Sequence, residues 1–168
     1  MIHYKDTDLA YIAGIVDGEG TVGVTKVKRP ENRCGYSFLP LLSIINTDRA
    51  IHEYINDIFG GISTISERNG GNTFNIKQNK TCYCIFSRRT EKNNKILTAI
   101  YPYMRIKKKN ADNVFELMRL KGESKNYATA ENLKKQFSCY LKARALNGTI
   151  LTEEDIRKLT PDWSKMNK

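Results

Sequence analysis

Apolar and polar positions follow two rhythms along this chain, and the rhythms trade places in a fixed order. Leu9, Ile12, Ile15 and Val16 fall on one face at helical spacing, so residues 8–18 are expected as a helix with Thr7 as its cap. Residues 20–29 (GTVGVTKVKR) change to a β-branched alternation, a strand that Pro30-Glu31-Asn32 breaks. Residues 36–45 (YSFLPLLSII) read as a second strand, in which Pro40 calls for a bulge or an edge. Thr47-Asp48 opens a second helix and Gly60-Gly61 ends it, with Ile51, Ile55, Ile58 and Phe59 at helical spacing between them. Residues 62–68 form a third strand before the turn signal Asn69-Gly70-Gly71-Asn72. Residues 73–77 and 81–87 are β-rich, as two strands or as one extended hairpin arm. Helices follow: from Thr90 to about Tyr101, where Pro102 interrupts, then 108–120, then Thr129 to about Leu146. A short last helix opens on the capping pair Thr152 and Asp155. Helix, two strands, helix, further strands, then helices is an α+β order: an antiparallel sheet with helices on one face.

With 168 residues the chain can build one domain with a real core. Lys and Arg number 28 against 18 Asp and Glu, a formal charge of +10 that suits a polyanionic partner. Ribosomal and membrane-surface proteins share that balance, so charge alone does not choose among them. No signal peptide or membrane span is visible, which points to a soluble intracellular protein with no membrane partner. Cys34, Cys82, Cys84 and Cys139 contain no C-x2-C pair, so a zinc ribbon is not expected. They are expected as buried free thiols, with Cys82 and Cys84 on one strand face. His3 and His52 are too scattered to form a metal cluster.

Residues 12–20 (IAGIVDGEG) carry the most chemistry. Ala10, Ala13, Gly14 and Asp17 stand at i, i+3, i+4 and i+7, a helix stripe with almost no side-chain volume. A second helix could approach it at backbone distance. Gly18 and Gly20 are expected to stop the helix through left-handed conformations. Asp17 and Glu19 then sit at the helix C-terminus, where the macrodipole disfavours an unpaired carboxylate and a divalent cation would reverse that penalty. An acidic, glycine-rich turn with no ligand is the plainer alternative.

The IAGIVDGEG stretch resembles the LAGLIDADG signature of homing endonucleases, with Glu19 in the last acidic position. Pro102-Tyr103-Met104-Arg105-Ile106-Lys107-Lys108-Lys109 is similar to the family's second block, a Pro-aromatic stretch with a lysine before a helix. The family's element order, αββαββα followed by extra helices, matches over about residues 6–120. The resemblance implies an endonuclease core over 1–120, with 121–168 as a C-terminal helical extension of the same domain. It implies a site-specific, metal-dependent double-strand cut in a long, near-palindromic DNA target that promotes intron mobility. An RNA-binding intron maturase of the same fold, with intron RNA as partner, is the alternative. The implied cofactor is Mg²⁺, with Mn²⁺ substituting and Ca²⁺ binding without cleavage. Glu19 and the Gly18 carbonyl would hold the metal, Asn46 would position water, and Lys107 would stabilise phosphate charge. Arg105 and Lys109 flank Lys107, and Arg49 resembles a nearby basic position. Asp17 is expected to accept backbone N–H bonds rather than bind metal. One such motif per chain implies a homodimer packed through Ala10, Ala13, Gly14 and Asp17. The implied host compartment is an organelle or an archaeal or bacterial cytoplasm.

A sheet covered on one side leaves the other free to read DNA, because a β-ribbon can enter the major groove. With Val22, Val24 and Ile44 inward, alternation points Thr21, Gly23, Thr25, Val27, Arg29, Ser37, Leu39, Leu41 and Ser43 outward. Ile65 inward does the same for Thr64, Ser66 and Arg68. Cys82, Cys84 and Phe86 inward would leave Thr81, Tyr83 and Ile85 outward. Arg29, Arg33, Lys77 and Lys80, near turns, are expected to meet phosphates.

Overall fold

The computed structural model describes residues 4–32, 34–62, 64–68, 72–73, 76–77, 81–123 and 129–166. Arg33 and Lys80 lie outside the described residues, as do the side chains of Arg68 and Lys77. The helices are α1 (Asp6–Glu19), α2 (Arg49–Phe59), α3 (Thr90–Ile100), α4 (Lys108–Glu123), α5 (Ala130–Leu146) and α6 (Glu153–Leu159). The strands are β1 (Gly20–Lys28), β2 (Tyr36–Asn46), β3 (Ser66–Arg68), β4 (Asn72–Thr73), β5 (Ile76–Lys77) and β6 (Cys82–Ser87). Four strands make a sheet in the order β1-β2-β6-β3, while β4 and β5 pair with each other. The described parts of residues 73–77 therefore pair apart from the main sheet, and β6 is a separate strand.

The chain groups into two compact units, residues 1–21 with 42–107 and residues 22–41 with 108–168. In the first, α1 packs on α3, and α2 packs on β6. Its core holds Ile12, Val16, Leu42, Ile44, Ile55, Ile85, Leu97 and Ile100, all fully buried. In the second, α4 packs on α5. Phe38, Phe137, Tyr140 and Trp163 form an aromatic cluster there, with ring centroids about 6 Å apart.

Several boundaries follow from local chemistry. Asp48 caps α2 by accepting from the Ala50 N–H, and Gly60 closes that helix in the left-handed region at φ 71°. Thr129 caps α5, and Thr152 with Asp155 makes a complete capping box on α6. Lys5, not Thr7, precedes α1, which begins at Asp6.

Pro40 is buried inside β2. The β2–β6 register runs only from Leu42↔Ser87 to Asn46↔Tyr83, so Pro40 lies past the stretch where β6 needs a donor.

The register also corrects the reading of β6. Ile44 stands opposite Ile85, and both are fully buried. Tyr83 and Ile85, with Thr81 at the same parity before the strand, therefore belong to the helix-covered side; Cys84 and Phe86 take the other side, where Phe86 is partly exposed and Cys84 is nonetheless fully buried. CYCIF is apolar at both parities, so alternation alone could not choose. All four cysteines are free thiols, and Cys34, Cys84 and Cys139 are buried.

Candidate active site

Helix α1 ends where its sequence turns acidic, but not by the expected route. Gly18 is helical and Gly20 takes an ordinary extended conformation at φ −82°. Gly20 is required by close approach instead: a Cβ there would lie 2.6 Å from the Val16 carbonyl oxygen. The chain can thus leave the helix straight into β1, with Asp17 and Glu19 held at the junction.

The two acids then part company. Asp17 is 9 % exposed. Its Oδ2 accepts from the Arg105 N–H at 2.7 Å and the Ile106 N–H at 3.1 Å, and its Oδ1 from the Lys107 N–H at 2.9 Å. Burial pushes this carboxyl up, but the three N–H donors and the Lys107 charge outweigh it and hold the pKa below the ordinary value. In return, the Lys107 ammonium donates to the carbonyl oxygens of Val16 at 3.0 Å and Asp17 at 2.5 Å. A cation at the negative end of a helix is favourable. Burial lowers the Lys107 pKa, opposed by Asp17 and Glu19. The helix end and the 105–107 segment therefore clasp each other, acid to backbone N–H and lysine to backbone C=O.

Glu19 stays outside the clasp. It is exposed and makes no hydrogen bond among the described residues, yet the Lys107 charge reaches it. A hard carboxylate beside the exposed Gly18 has the donor chemistry for Mg²⁺. No group of three or more potential metal ligands occurs among the described residues, and with Asp17 committed to backbone N–H groups, Glu19 is the carboxylate left exposed at this end. Asn46, at the end of β2, is half-buried and accepts from the Asp48 N–H at 2.9 Å through Oδ1. That bond fixes the side-chain carbonyl and orients the amide. Arg49 is exposed and pairs with Glu53 at 2.7 Å on its own helix. Arg105 and Lys109 are exposed.

The small stripe on α1 divides. Ala13 is fully buried in the chain's own core, a correction to its expected place on an open face. The helical offset that puts Ala13 beside Ile12 and Val16 turns it inward. Ala10 and Gly14 remain exposed, and with Asp17, Pro102, Tyr103 and Arg105 they line a groove of about 350 Å³.

On the sheet, Thr21 and Arg29 are exposed, and Thr25, Val27, Ser37, Leu39 and Leu41 are half-buried. Gly23 is buried: a Cβ there would meet Asn147 Nδ2 at 3.0 Å and Ala143 Cβ at 3.6 Å, both on the C-terminal side of α5. Its expected place on an open reading face is corrected accordingly. Ser43 is also nearly covered, its Oγ 3.7 Å from Cys84 Sγ. Thr64 and Ser66 are exposed, and Ser66 Oγ donates to the Cys84 carbonyl at 3.3 Å. The sequence reading passed over Ile45 and Arg88 and placed Phe86 inward, whereas the β2–β6 register brings Ile45 and Phe86 to the outer side. The Arg88-Arg89 pair directly after the strand was the signal that could have drawn attention to them.

Residues 12–118 match the family model described as LAGLIDADG endonuclease. The chain belongs to that family. No match was found among curated proteins. Among solved structures it is similar to the archaeal intron-encoded homing endonuclease I-Vdi141I complexed with DNA: TM-score 0.74, 20 % identity, 98 % of this chain and 97 % of that one. It is also similar to I-CvuI in complex with the I-CreI target and Mg, with DNA not cleaved: TM-score 0.72, 19 % identity, 96 % of each chain. Against the LAGLIDADG homing endonuclease I-LtrWI bound to target DNA the TM-score is 0.68 at 20 % identity, and the match covers 90 % of this chain but 48 % of that one. No described helix is long and apolar enough to cross a membrane.

Proposed function

We propose that this chain is a homing endonuclease that acts as a homodimer. It makes a Mg²⁺-dependent double-strand cut in a long, near-palindromic DNA target and so promotes intron mobility. The observation that carries the reading is the clasp at the end of α1. It commits Asp17 and the backbone of 105–107 to structure while leaving Glu19 unspent beside the Lys107 ammonium. The two full-length neighbours are named as homing endonucleases in complex with DNA, which supports the same substrate class. The half-length match to I-LtrWI fits one motif per chain and two chains per active enzyme.

Glu19 would hold the metal together with the Gly18 carbonyl and, across the two-fold axis, the same groups of the second copy. Bound there, Mg²⁺ supplies a more acidic water and stabilises charge on the phosphate. Lys107 is held at the helix end by two carbonyls, so its charge meets developing phosphate negativity without reorganising first. Asn46 is prepared to position solvent through its free amide donors. Mn²⁺ would substitute, and Ca²⁺ would bind without cutting. Ala10 and Gly14 would let the two α1 helices meet at backbone distance. An RNA-binding maturase would need no unspent carboxylate at this position, and is the weaker reading.

The test is cleavage of a randomised near-palindromic DNA library by wild type and Glu19→Gln, with Mg²⁺, Ca²⁺ or chelator. Mg²⁺-dependent cutting at one sequence class, absent in Glu19→Gln, is the expected result. No cutting, with salt-sensitive binding to folded RNA preferred over every duplex, would overturn it.

A further inference from the structure

The part of the β1–β2 hairpin nearest its turn has no third strand among the described residues. β1 is the edge of the sheet, and the β2–β6 register stops at Leu42, so residues 36–41 of β2 have β1 as their strand neighbour. A two-stranded hairpin is marginal in water and needs a third strand or another element packed on it. Residues 22–41 form one compact unit with residues 108–168, so the C-terminal elements supply that support. Part of it is the aromatic cluster, where Phe38 of β2 meets Phe137 and Tyr140 of α5.

The rest comes from the chain at and just after the end of α6. Lys26 shares the parity of the buried Val22 and Val24, so β1 carries a cation on its covered side. Its ammonium donates to the carbonyl oxygen of Leu159, the last residue of α6, at 2.5 Å. The last carbonyls of a helix lack partners within it, and a cation is favourable there. The same ammonium lies over the Tyr36 ring of β2, 3.9 Å from the centroid. Burial lowers the Lys26 pKa, opposed by the neighbouring Cys34. Thr160, Asp162 and the buried Pro161 then line one groove of about 520 Å³ with Lys28, Asn32 and Tyr36 of the hairpin. Trp163 sets its ring edge-on to Phe137, with centroids 6.0 Å apart. One ammonium thus ties both strands to residue 159, and one indole ties residue 163 to the cluster beneath Phe38.

We propose that residues 159–163 are a strap that holds the β1–β2 hairpin in its DNA-binding form, with Lys26 and Trp163 as positioning residues that act through the hairpin and touch no DNA. This rests on the DNA-cutting reading and deepens it, by giving the C-terminal extension a part in binding. A hairpin ordered before association has less freedom to lose on binding, so the strap strengthens affinity without adding a contact. Neither residue belongs to the clasp at the end of α1, so cutting by the bound complex does not depend on the strap.

The experiment uses the full chain as wild type, Lys26→Met, Lys26→Arg, Trp163→Ala and Trp163→Phe. Hydrogen exchange of residues 24–29 and 36–41 is followed without DNA, with the α4 amides as the reference for an intact fold. Binding across a salt series and single-turnover cutting are then measured on the duplex recovered from the cleavage library. Lys26→Met and Trp163→Ala should each speed hairpin exchange by about tenfold or more while α4 stays protected. Both should weaken binding at least about fivefold with an unchanged salt slope, while cutting by the saturated complex stays within about twofold of wild type. Lys26→Arg and Trp163→Phe keep the cation and the ring, and should exchange and bind like wild type. Unchanged hairpin exchange in both Lys26→Met and Trp163→Ala would overturn the strap. So would loss of α4 protection as well, which would make the segment a general fold contact. A salt slope lowered by about one in Lys26→Met would also overturn it, as the mark of a direct phosphate contact. All three outcomes leave the endonuclease reading intact. Failure of wild type to bind any duplex would overturn that reading and, with it, the strap's part in binding.

Discussion

The C-terminal end of α1 and the outer side of β2 and β6 belong to the same compact unit, yet they are built on opposite principles. At the helix end the Asp17 carboxylate and the Lys107 ammonium are both committed, while Glu19 is not. Asp17 takes three N–H donors, and Lys107 takes two carbonyls. On the sheet, Ile45 and Phe86 are left partly in solvent, with the Arg88 guanidinium over the Phe86 ring. Chemistry tolerates little misplacement, so its groups are fixed by the backbone. The sheet residues stand instead on a frame whose core pair, Ile44 against Ile85, does not include them.

The largest expected effect that tests this contrast is Glu19→Gln. Single-turnover cleavage should fall by at least about 10³-fold with DNA affinity retained, because the charge proposed to hold the metal is lost and no fold contact is. Retained cutting would break the comparison at its root.

Asp17→Ala should do the reverse and act on the fold. Hydrogen bonds to a charged acceptor are worth about 1.5–3 kcal/mol each, so losing three should cost at least about 3 kcal/mol in a urea melt. The pH dependence has a definite sign. The Asp17 pKa lies below the ordinary 3.8 in the folded chain, so its stabilisation is complete above that value and is lost as pH falls through the folded value. Acid melts should show Asp17→Asn losing less stability than wild type on acidification below that point.

On the sheet, neighbouring residues should respond unequally. Ile85→Ala should cost about 2–5 kcal/mol as a core truncation. Phe86→Ala should stay within about 1 kcal/mol, as a partly exposed side chain. Equal costs would return β6 to the opposite parity.

The smallest effect separates two glycines of α1. Gly14→Ala should leave the chain's fold intact or stabilise it by up to about 1 kcal/mol, since nothing lies within 4 Å of the new Cβ. Sedimentation should nonetheless show weaker self-association. Gly20→Ala should cost about 1–3 kcal/mol, since its Cβ would press on the Val16 carbonyl.

Much of this was legible in the order of residues. The helix and strand sequence followed from periodicity, and the acidic helix end followed from Asp17 and Glu19 between glycines. The assignment of Asp17 to backbone N–H groups was also sound. Their source was not legible, because the donors lie 88–90 residues away and hydrophobic patterning carries no such range. The sides of β6 could not be read, because a strand apolar at both parities becomes specific only when Ile44 meets Ile85 across the ladder. Gly20 was identified as special for the wrong reason: its sequence signal is the same for a left-handed residue and for one pressed against a carbonyl. Ala13 looked like part of an open stripe because small residues mark close helix contacts and core positions alike.

The clasp also has a consequence for the order in which the protein is made. Contacts that join residues 16 and 17 to residue 107 cannot form until that residue has left the ribosome. A nascent or truncated chain ending before Arg105 carries the whole acidic motif but lacks every donor that sets its geometry. The geometry of the acidic helix end is therefore completed late in synthesis, after the strands from β1 to β6 have been produced.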